Sequence, residues 1–467
     1  MLPKLQDPGS PPVVGTAGSA TSLVGILRKW ARDRPGEGGY TFLDGAGEES
    51  AVLHFGELDA RARAVAAALQ AHGAAGERAL LLYPPGLDFV VAFLGALYAG
   101  TIAVPAYPPR PNRGFSRLRS IAADAGARIV LTTAATIART EPLAGQIPEL
   151  GGAVWLATDN LPAGIEAEWR EVRPASHEPA FLQYTSGSTA DPKGVIVTHG
   201  NLLHNEEMIR RAFAQSEESV VVGWLPLYHD MGLIGNVLQP LYLGARAVLM
   251  APLTFLQKPA RWLEAITRYR ATTSGGPNFA YELCLRRIGP REREALDLRS
   301  WRVAFSGAEP VRASTLEEFA AAFAPCGFRR TAFYPCYGLA EATLFATGGA
   351  VDEPPLVQAF APAALEENRV EPMAAGRELV SCGRPWMGQE LAIVDPQSRQ
   401  RCPPDRVGEV WIAGPSVAGG YWAGRRRPSR NSRLASPASP RPEPSCAPVT
   451  SASYPAATCS SPAGSRT

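Results

Sequence analysis

Between Leu58 and Ala157 the sequence switches repeatedly from helical to strand periodicity, and that alternation admits few architectures. Leu58, Ala62, Val65, Ala66 and Leu69 fall at i, i+4, i+7, i+8 and i+11, one face of a helix ending near Gly73. Ala79 to Tyr83 is a short apolar strand, and Pro84-Pro85-Gly86 turns it into a second helix. The apolar run Phe89 to Val104 is interrupted by Gly95, Gly100 and Thr101 and falls short of the roughly 20 residues a membrane span needs. It reads as a helix, Phe89 to Ala99, capped by Gly100 and followed by a buried strand, Ile102 to Ala106. A helix near Arg117 to Ala125 and strands at Arg128 to Thr132 and Ala153 to Ala157 continue the series. Strands separated by helices of this length imply parallel βαβ units, hence an α/β layered fold. Val220 to Leu225 and Ala245 to Met250 add buried strands, with a helix at Pro259 to Tyr269. From about Leu379 the pattern becomes strands and turns, Leu391 to Val394 and Gly408 to Ala413, as in a small antiparallel module.

With 467 residues the chain is long enough for two or three domains or subdomains. A net charge of +2 gives no reason to expect nucleic acid or an anionic membrane as partner. Seven scattered cysteines form no Cys-x-x-Cys pair, so neither zinc nor a disulfide framework is expected and a reducing, cytoplasmic setting is. Met1 to Thr16 lacks the charged start and apolar core of a signal peptide, and residues 1 to 20 read as a flexible N-terminus.

The densest chemistry lies at Tyr184-Thr-Ser-Gly-Ser-Thr-Ala-Asp-Pro-Lys-Gly. Thr185, Ser186, Ser188 and Thr189 surround Gly187, with Lys193 following. Glycine permits close backbone approach, consecutive N–H groups and hydroxyls make a concave nest for phosphate oxygens, and lysine supplies a point charge. No Gly-Lys-Ser/Thr opens a helix, so this is not the Walker loop. A solvated Ser/Thr/Gly turn between strands is the plainer alternative.

Four further segments join it. Trp224-Leu-Pro-Leu-Tyr-His-Asp-Met-Gly-Leu-Ile-Gly places His229 and Asp230 at a strand end, before an apolar helix. Ser274-Gly-Gly-Pro-Asn-Phe-Ala-Tyr reads as a glycine turn running into a helix. Ser306-Gly-Ala-Glu follows a strand at Val303 to Phe305, and Phe333-Tyr-Pro-Cys-Tyr-Gly-Leu-Ala-Glu sets Tyr337 and Glu341 around Gly338. Singly, each has a structural reading as core histidine, helix cap, tight turn or solvated glutamate. Their joint order along one α/β chain is the informative observation.

In these motifs the chain resembles the adenylate-forming superfamily of acyl-CoA synthetases, adenylation domains and luciferases, and within it the fatty acyl-AMP ligases, over about residues 21 to 422. The resemblance implies a large N-terminal domain of two layered βαβ subdomains plus a small antiparallel β module at about 379–422. It implies ATP and Mg²⁺, with Thr185, Ser186, Gly187, Ser188, Thr189 and Lys193 on the phosphates and Glu341 on the metal. The turn Gly307, Ala308 and Glu309 would flank adenine and Tyr337 stack on it, with Gly338, Leu339 and Ala340 beside them. His229 would stand at the mouth of an acyl pocket formed with Trp224, Asp230, Met231, Gly232, Ile234, Gly276, Asn278 and Phe279. Lys193, Glu341 and His229 are the implied catalytic residues. Ala190 replaces the family's usual glycine. The polar, proline-bearing stretch Val351 to Arg377 lies where acyl-AMP ligases carry an insertion that hinders the use of free CoA. The implied acyl acceptor is then an acyl carrier protein or a polyketide/peptide synthase, with no nucleic-acid partner.

Beyond Gly419-Gly-Tyr-Trp422 the family continues with an Arg-Thr-Gly-Asp hinge and a small C-terminal domain bearing a catalytic lysine, and residues 423 to 467 match neither. They are rich in Ser, Pro, Arg and Ala and lack an apolar period, which predicts disorder. Back-translated with GC-rich codons and read one frame over, residues 444 to 467 yield an Arg-Thr-Gly-Asp-bearing string like the absent hinge, so a shifted frame just after Trp422 is the expectation. Adenylation by the chain as written is then expected to be weak or absent. The alternatives are a long-chain acyl-CoA synthetase and a truncated, non-catalytic module that binds ATP or acyl-AMP.

Overall fold

The computed structural model describes residues 22–108, 115–140, 146–185 and 192–422. The expected N-terminal flexibility, the disorder of the tail, and Ser186, Gly187, Ser188, Thr189 and Ala190 fall outside the described residues.

Two large sheets organise the chain. The first has six strands in the order Val154–Ala157, Ile129–Thr132, Arg78–Leu82, Ile102–Ala106, Pro179–Thr185 and Lys193–Thr198, all parallel except the last. Its inner strands Arg78–Leu82, Ile102–Ala106 and Ile129–Thr132 read as nearly continuous apolar runs because both faces are covered. Leu80, Leu82, Val104, Val130 and Leu182 pack under the helix Ser116–Ala125, whereas Ala79, Leu81, Ala103, Leu131 and Phe181 join the main core. The second sheet has nine strands. Phe333–Gly338, Val303–Ser306, Thr273–Gly276, Val220–Gly223, Arg246–Met250 and Gly39–Leu43 run parallel at its centre, with antiparallel strands at both edges.

The predicted helix after Pro85-Gly86 spans Leu87–Ala99, every residue but Asp88 is buried, and Gly100 ends it in the left-handed conformation. Gly95, which interrupts the apolar run, lets this helix press against its neighbour Phe55–Ala71. A β-carbon there would lie 2.6 Å from the Val65 side chain. Leu58, Ala62, Val65, Ala66 and Leu69 of that neighbour are all buried, as their spacing predicted. Among the described residues no helix is long and apolar enough to cross a membrane.

Two expectations change in detail. Ser274, Gly275 and Gly276 do not form a turn but lie in the central strand Thr273–Gly276. Their glycines answer to crowding: a β-carbon on Gly275 would sit 2.1 Å from the Phe305 carbonyl oxygen. Residues 379–422 are shared among several sheets. Arg377–Val380 pairs back onto Val357–Phe360, Arg384–Pro385 extends the nine-stranded sheet, and only Glu390–Val394 with Glu409–Ala413 forms a separate hairpin. The stretch Val351 to Arg377 holds a strand and a short helix, Pro362–Glu366, and is laced to the hairpin loop by Val370 N–H to Asp405 O (2.8 Å) and Val407 N–H to Asn368 O (3.0 Å).

Candidate active site

The sequence motifs sit at strand ends. Thr185 closes one strand and Lys193 opens its antiparallel neighbour, facing it in register, so the Ser/Thr/Gly loop is the connection between them. Gly194 is required beside the lysine because a β-carbon would meet the Tyr184 ring at 2.8 Å. That ring is fixed by a 2.7 Å hydrogen bond from the Tyr184 hydroxyl to Asp124.

Glu341 lies 148 residues later on a tight turn after Phe333–Gly338. A β-carbon on Gly338 would stand 2.0 Å from the Leu344 carbonyl oxygen, so only glycine lets the chain fold back here. Leu339 N–H donates to that same oxygen at 2.9 Å. Leu339 is half-buried and Ala340 buried. Thr343 takes φ 69° and ψ −63°, and Leu344 N–H donates to Ala342 O at 2.9 Å across it. That is a positive-φ γ-turn centred on a β-branched residue, an uncommon and strained arrangement. It is held from two sides. Asn205 donates to the Ala342 and Phe345 carbonyls at 3.3 and 2.9 Å, and the Thr343 hydroxyl donates to Ser416 O at 2.7 Å.

Gly307, Ala308 and Glu309 follow the strand Val303–Ser306. A β-carbon on Gly307 would meet the Cys336 carbonyl oxygen at 2.8 Å, so this turn lies directly against the strand bearing Tyr337. Ala308 is exposed and holds φ 66°. The Glu309 carboxylate accepts from Phe279 N–H at 2.6 Å, capping the helix Asn278–Arg287. Asn278 is also committed to structure. Its amide accepts from Arg312 N–H at 3.0 Å and donates to Glu282 at 2.8 Å, stitching the helix to the same turn.

Trp224, Gly276 and Phe279 come together as expected. Trp224 stacks on Phe255 (centroids 4.0 Å apart), meets Phe279 edge-on at 6.1 Å, and occupies the space that a β-carbon on Gly276 would need. Its indole N–H, buried, has no partner among the described residues. His229 stands at the N-cap position of the helix that begins at Asp230, is itself exposed, and bonds Asp230 through its ring. The hydrogen bond to Asp230 raises the imidazole's affinity for a proton. Asp230 is buried and accepts from Met231 N–H at 2.7 Å. Gly232 is required because a β-carbon would lie 2.1 Å from Pro226 O. Ile234 is fully buried and opens a π-type turn, Ile234–Leu238, within the otherwise α-helical run to Leu243. Gln183 in the six-stranded sheet donates to Tyr228 O at 3.1 Å, tying that sheet to the loop before His229.

The model of the AMP-binding enzyme family matches residues 27–422, which contain every one of these segments. The chain belongs to the AMP-binding enzymes. Within that family it is 43% identical over 412 residues to the medium-chain-fatty-acid–[acyl-carrier-protein] ligase JamA of Moorena producens, covering 86% of this chain and 70% of that protein. It is 37% identical over 412 residues to the long-chain-fatty-acid–AMP ligase FadD23 of Mycobacterium tuberculosis, with the same coverage. The crystal structure of a fatty acyl-adenylate ligase from L. pneumophila, in complex with acyl adenylate and pyrophosphate, superposes with a TM-score of 0.82 at 44% identity, covering 86% of this chain and 70% of that one.

The sequence left one member of the site without a role. Tyr421 stood at the end of the last matching motif, yet its hydroxyl donates to Glu341 Oε1 at 2.8 Å and the Lys193 ammonium lies 5.2 Å from its ring centroid. The Gly-Gly before it was the available signal, since Gly420 takes φ 126°.

Proposed function

We propose that this AMP-binding enzyme activates a fatty acid with ATP, giving acyl-adenylate and pyrophosphate, and passes the acyl group to an acyl carrier protein or a polyketide/peptide synthase. The observation that carries the reading is the family match through all five motif segments, with ligases named for fatty acids among the relatives. One carboxylate oxygen of the acid attacks the α-phosphorus, the new O–P bond forms, and the α–β P–O bond breaks. Two anions must meet, so the site has mainly to neutralise charge and hold the groups in line. Thr185, Lys193 and the loop between them are assigned to the phosphates. The Gly307–Glu309 turn and Tyr337, which it adjoins through Cys336, are assigned to adenine, Glu309 acting as the turn's anchor.

A divalent cation fits what the chain offers. Glu341, half-buried with one carboxylate oxygen taken by the Tyr421 hydroxyl, would hold Mg²⁺ together with water and the phosphates, the mixture it favours with nucleotides. When bound, it would neutralise charge on the triphosphate.

The test is to supply the frame-corrected enzyme with ATP, Mg²⁺ and a panel of fatty, aryl and amino acids and measure pyrophosphate release and acyl-AMP. Free CoA and a phosphopantetheinylated carrier protein are then offered as acceptors. Activation confined to aryl or amino acids would refute the lipid reading, and acyl-CoA formed in place of acyl carrier would refute the acceptor.

A further inference from the structure

Gly414 to Trp422 forms a strap between the two halves of the site. Asn201 donates to Pro415 O (2.8 Å) and Val417 O (3.1 Å), and the His204 ring bonds the buried Ser416 hydroxyl at 2.7 Å. Ala418 N–H donates to the Glu341 carbonyl at 2.9 Å, and Ser416 O receives the Thr343 hydroxyl, so the strap grips the strained turn beside Glu341. Its last three residues then add to the edge of the lysine strand. Ile196 N–H donates to Gly420 O (3.0 Å), Trp422 N–H donates to Gly194 O (2.7 Å), and Tyr421 pairs with Val195. The Arg78 guanidinium covers the Trp422 ring at 5.4 Å.

This places the Tyr421 phenol between a cation and an anion that attract each other. Lys193 is exposed on a flexible four-carbon stem, and Glu341 is half-buried on a rigid turn. Were the two to pair directly, the phosphate site would lose its positive charge and a metal ion its carboxylate. The phenol opposes that collapse in two ways. Its ring offers the ammonium an aromatic face, within the 6 Å at which such contacts count. Its hydroxyl takes one carboxylate oxygen of Glu341 as acceptor and leaves the other available.

Resting on the assignment of Lys193 and Glu341 to nucleotide, we propose that Tyr421 is a positioning residue that keeps the two apart and oriented for the magnesium–nucleotide complex. It acts through them and touches no reacting atom. The Thr343 strain belongs to the same device, since a turn held this firmly keeps Glu341 from following the lysine.

The experiment reads binding rather than turnover, by calorimetric titration of the full 467-residue chain with ATP, with and without Mg²⁺. In Y421F the ring remains and the hydrogen bond to a charged acceptor goes. Metal-free ATP should bind within twofold of wild type, while the Mg²⁺ concentration for half-maximal enhancement rises about tenfold. In Y421A the Lys193–Glu341 pair can form, so metal-free ATP binding should weaken about tenfold. Adding E341Q to Y421A removes the anion and should restore it, which a purely structural role for Tyr421 would not do. Y421F retains the packing of the ring, so its metal dependence reads the proposal even if Y421A fails to fold. The proposal is overturned if Y421F leaves the metal dependence unchanged, or if a folded Y421A binds ATP as wild type or is not rescued by E341Q. K193A separates the two readings. If it leaves ATP affinity unchanged, the nucleotide assignment itself is wrong; if it weakens binding while Y421A does not, only the spacer role falls.

Discussion

Substituting Gly276 by alanine tests how tightly the proposed acyl pocket is built. The added β-carbon would lie 2.6 Å from Cζ2 of Trp224, about an ångström inside ordinary contact. The indole has little room to retreat: it is 3% exposed, stacked on Phe255 at 4.0 Å, and flanked edge-on by Trp262 at 6.0 Å and Phe279 at 6.1 Å. Overpacking of this kind costs about 1–3 kcal/mol, because side chains leave their rotamer wells or the strand shifts. The urea midpoint of G276A should therefore fall by that free energy divided by the slope, with the slope unchanged. A double-mutant cycle with W224L isolates the cause. Replacing the indole removes the clashing atom, so alanine at 276 should cost less than about 0.5 kcal/mol in that background, a coupling of about 1–3 kcal/mol. An equal loss with and without the indole would refute the packing argument and leave strand geometry as the reason for glycine.

Further outcomes follow from the same geometry. In the frame-corrected enzyme, K193A and E341Q should each cost about 2–4 kcal/mol of transition-state stabilisation in pyrophosphate release, with E341Q partly masked by excess Mg²⁺; an equal loss at every Mg²⁺ concentration would remove the metal role. Glu206 is fully buried, which raises its carboxyl well above the usual range, so the folded chain keeps a proton that the unfolded chain releases near pH 4.5. Stability should fall as pH rises through that interval, and E206Q should flatten the fall, read as urea midpoints at pH 5 and pH 8. His229 is shifted upward by Asp230, so their bond stabilises fully below pH 6.5 and is lost as pH rises through the raised value. The NMR titration midpoint of His229 should lie above 6.5 and drop in D230N.

Much of the architecture was legible locally. Helices such as Leu87–Ala99 and strands such as Ile102–Ala106 follow from apolar periodicity and from Gly100, which reports its own backbone requirement. The loop between Thr185 and Lys193, with small hydroxylated residues, glycine and lysine, points to phosphate chemistry from its sequence alone, and most of it lies outside the described residues. The glycines at 275 and 276 were misread as a turn because a glycine demanded by a neighbour looks the same in sequence as one demanded by φ.

What the sequence determined by itself was therefore the succession of elements and, through resemblance, the family. Only the tertiary structure decided which distant residues meet. Tyr421 reaches Glu341 across 80 positions and Lys193 across 228, because Gly420–Trp422 adds to the edge of one sheet while the Glu341 turn leaves the other. Glu206 becomes a buried acid, and Glu309 a helix cap, by the same kind of long-range placement. Periodicity records which face of an element is apolar, but not which element will cover it, and the site is made of those pairings.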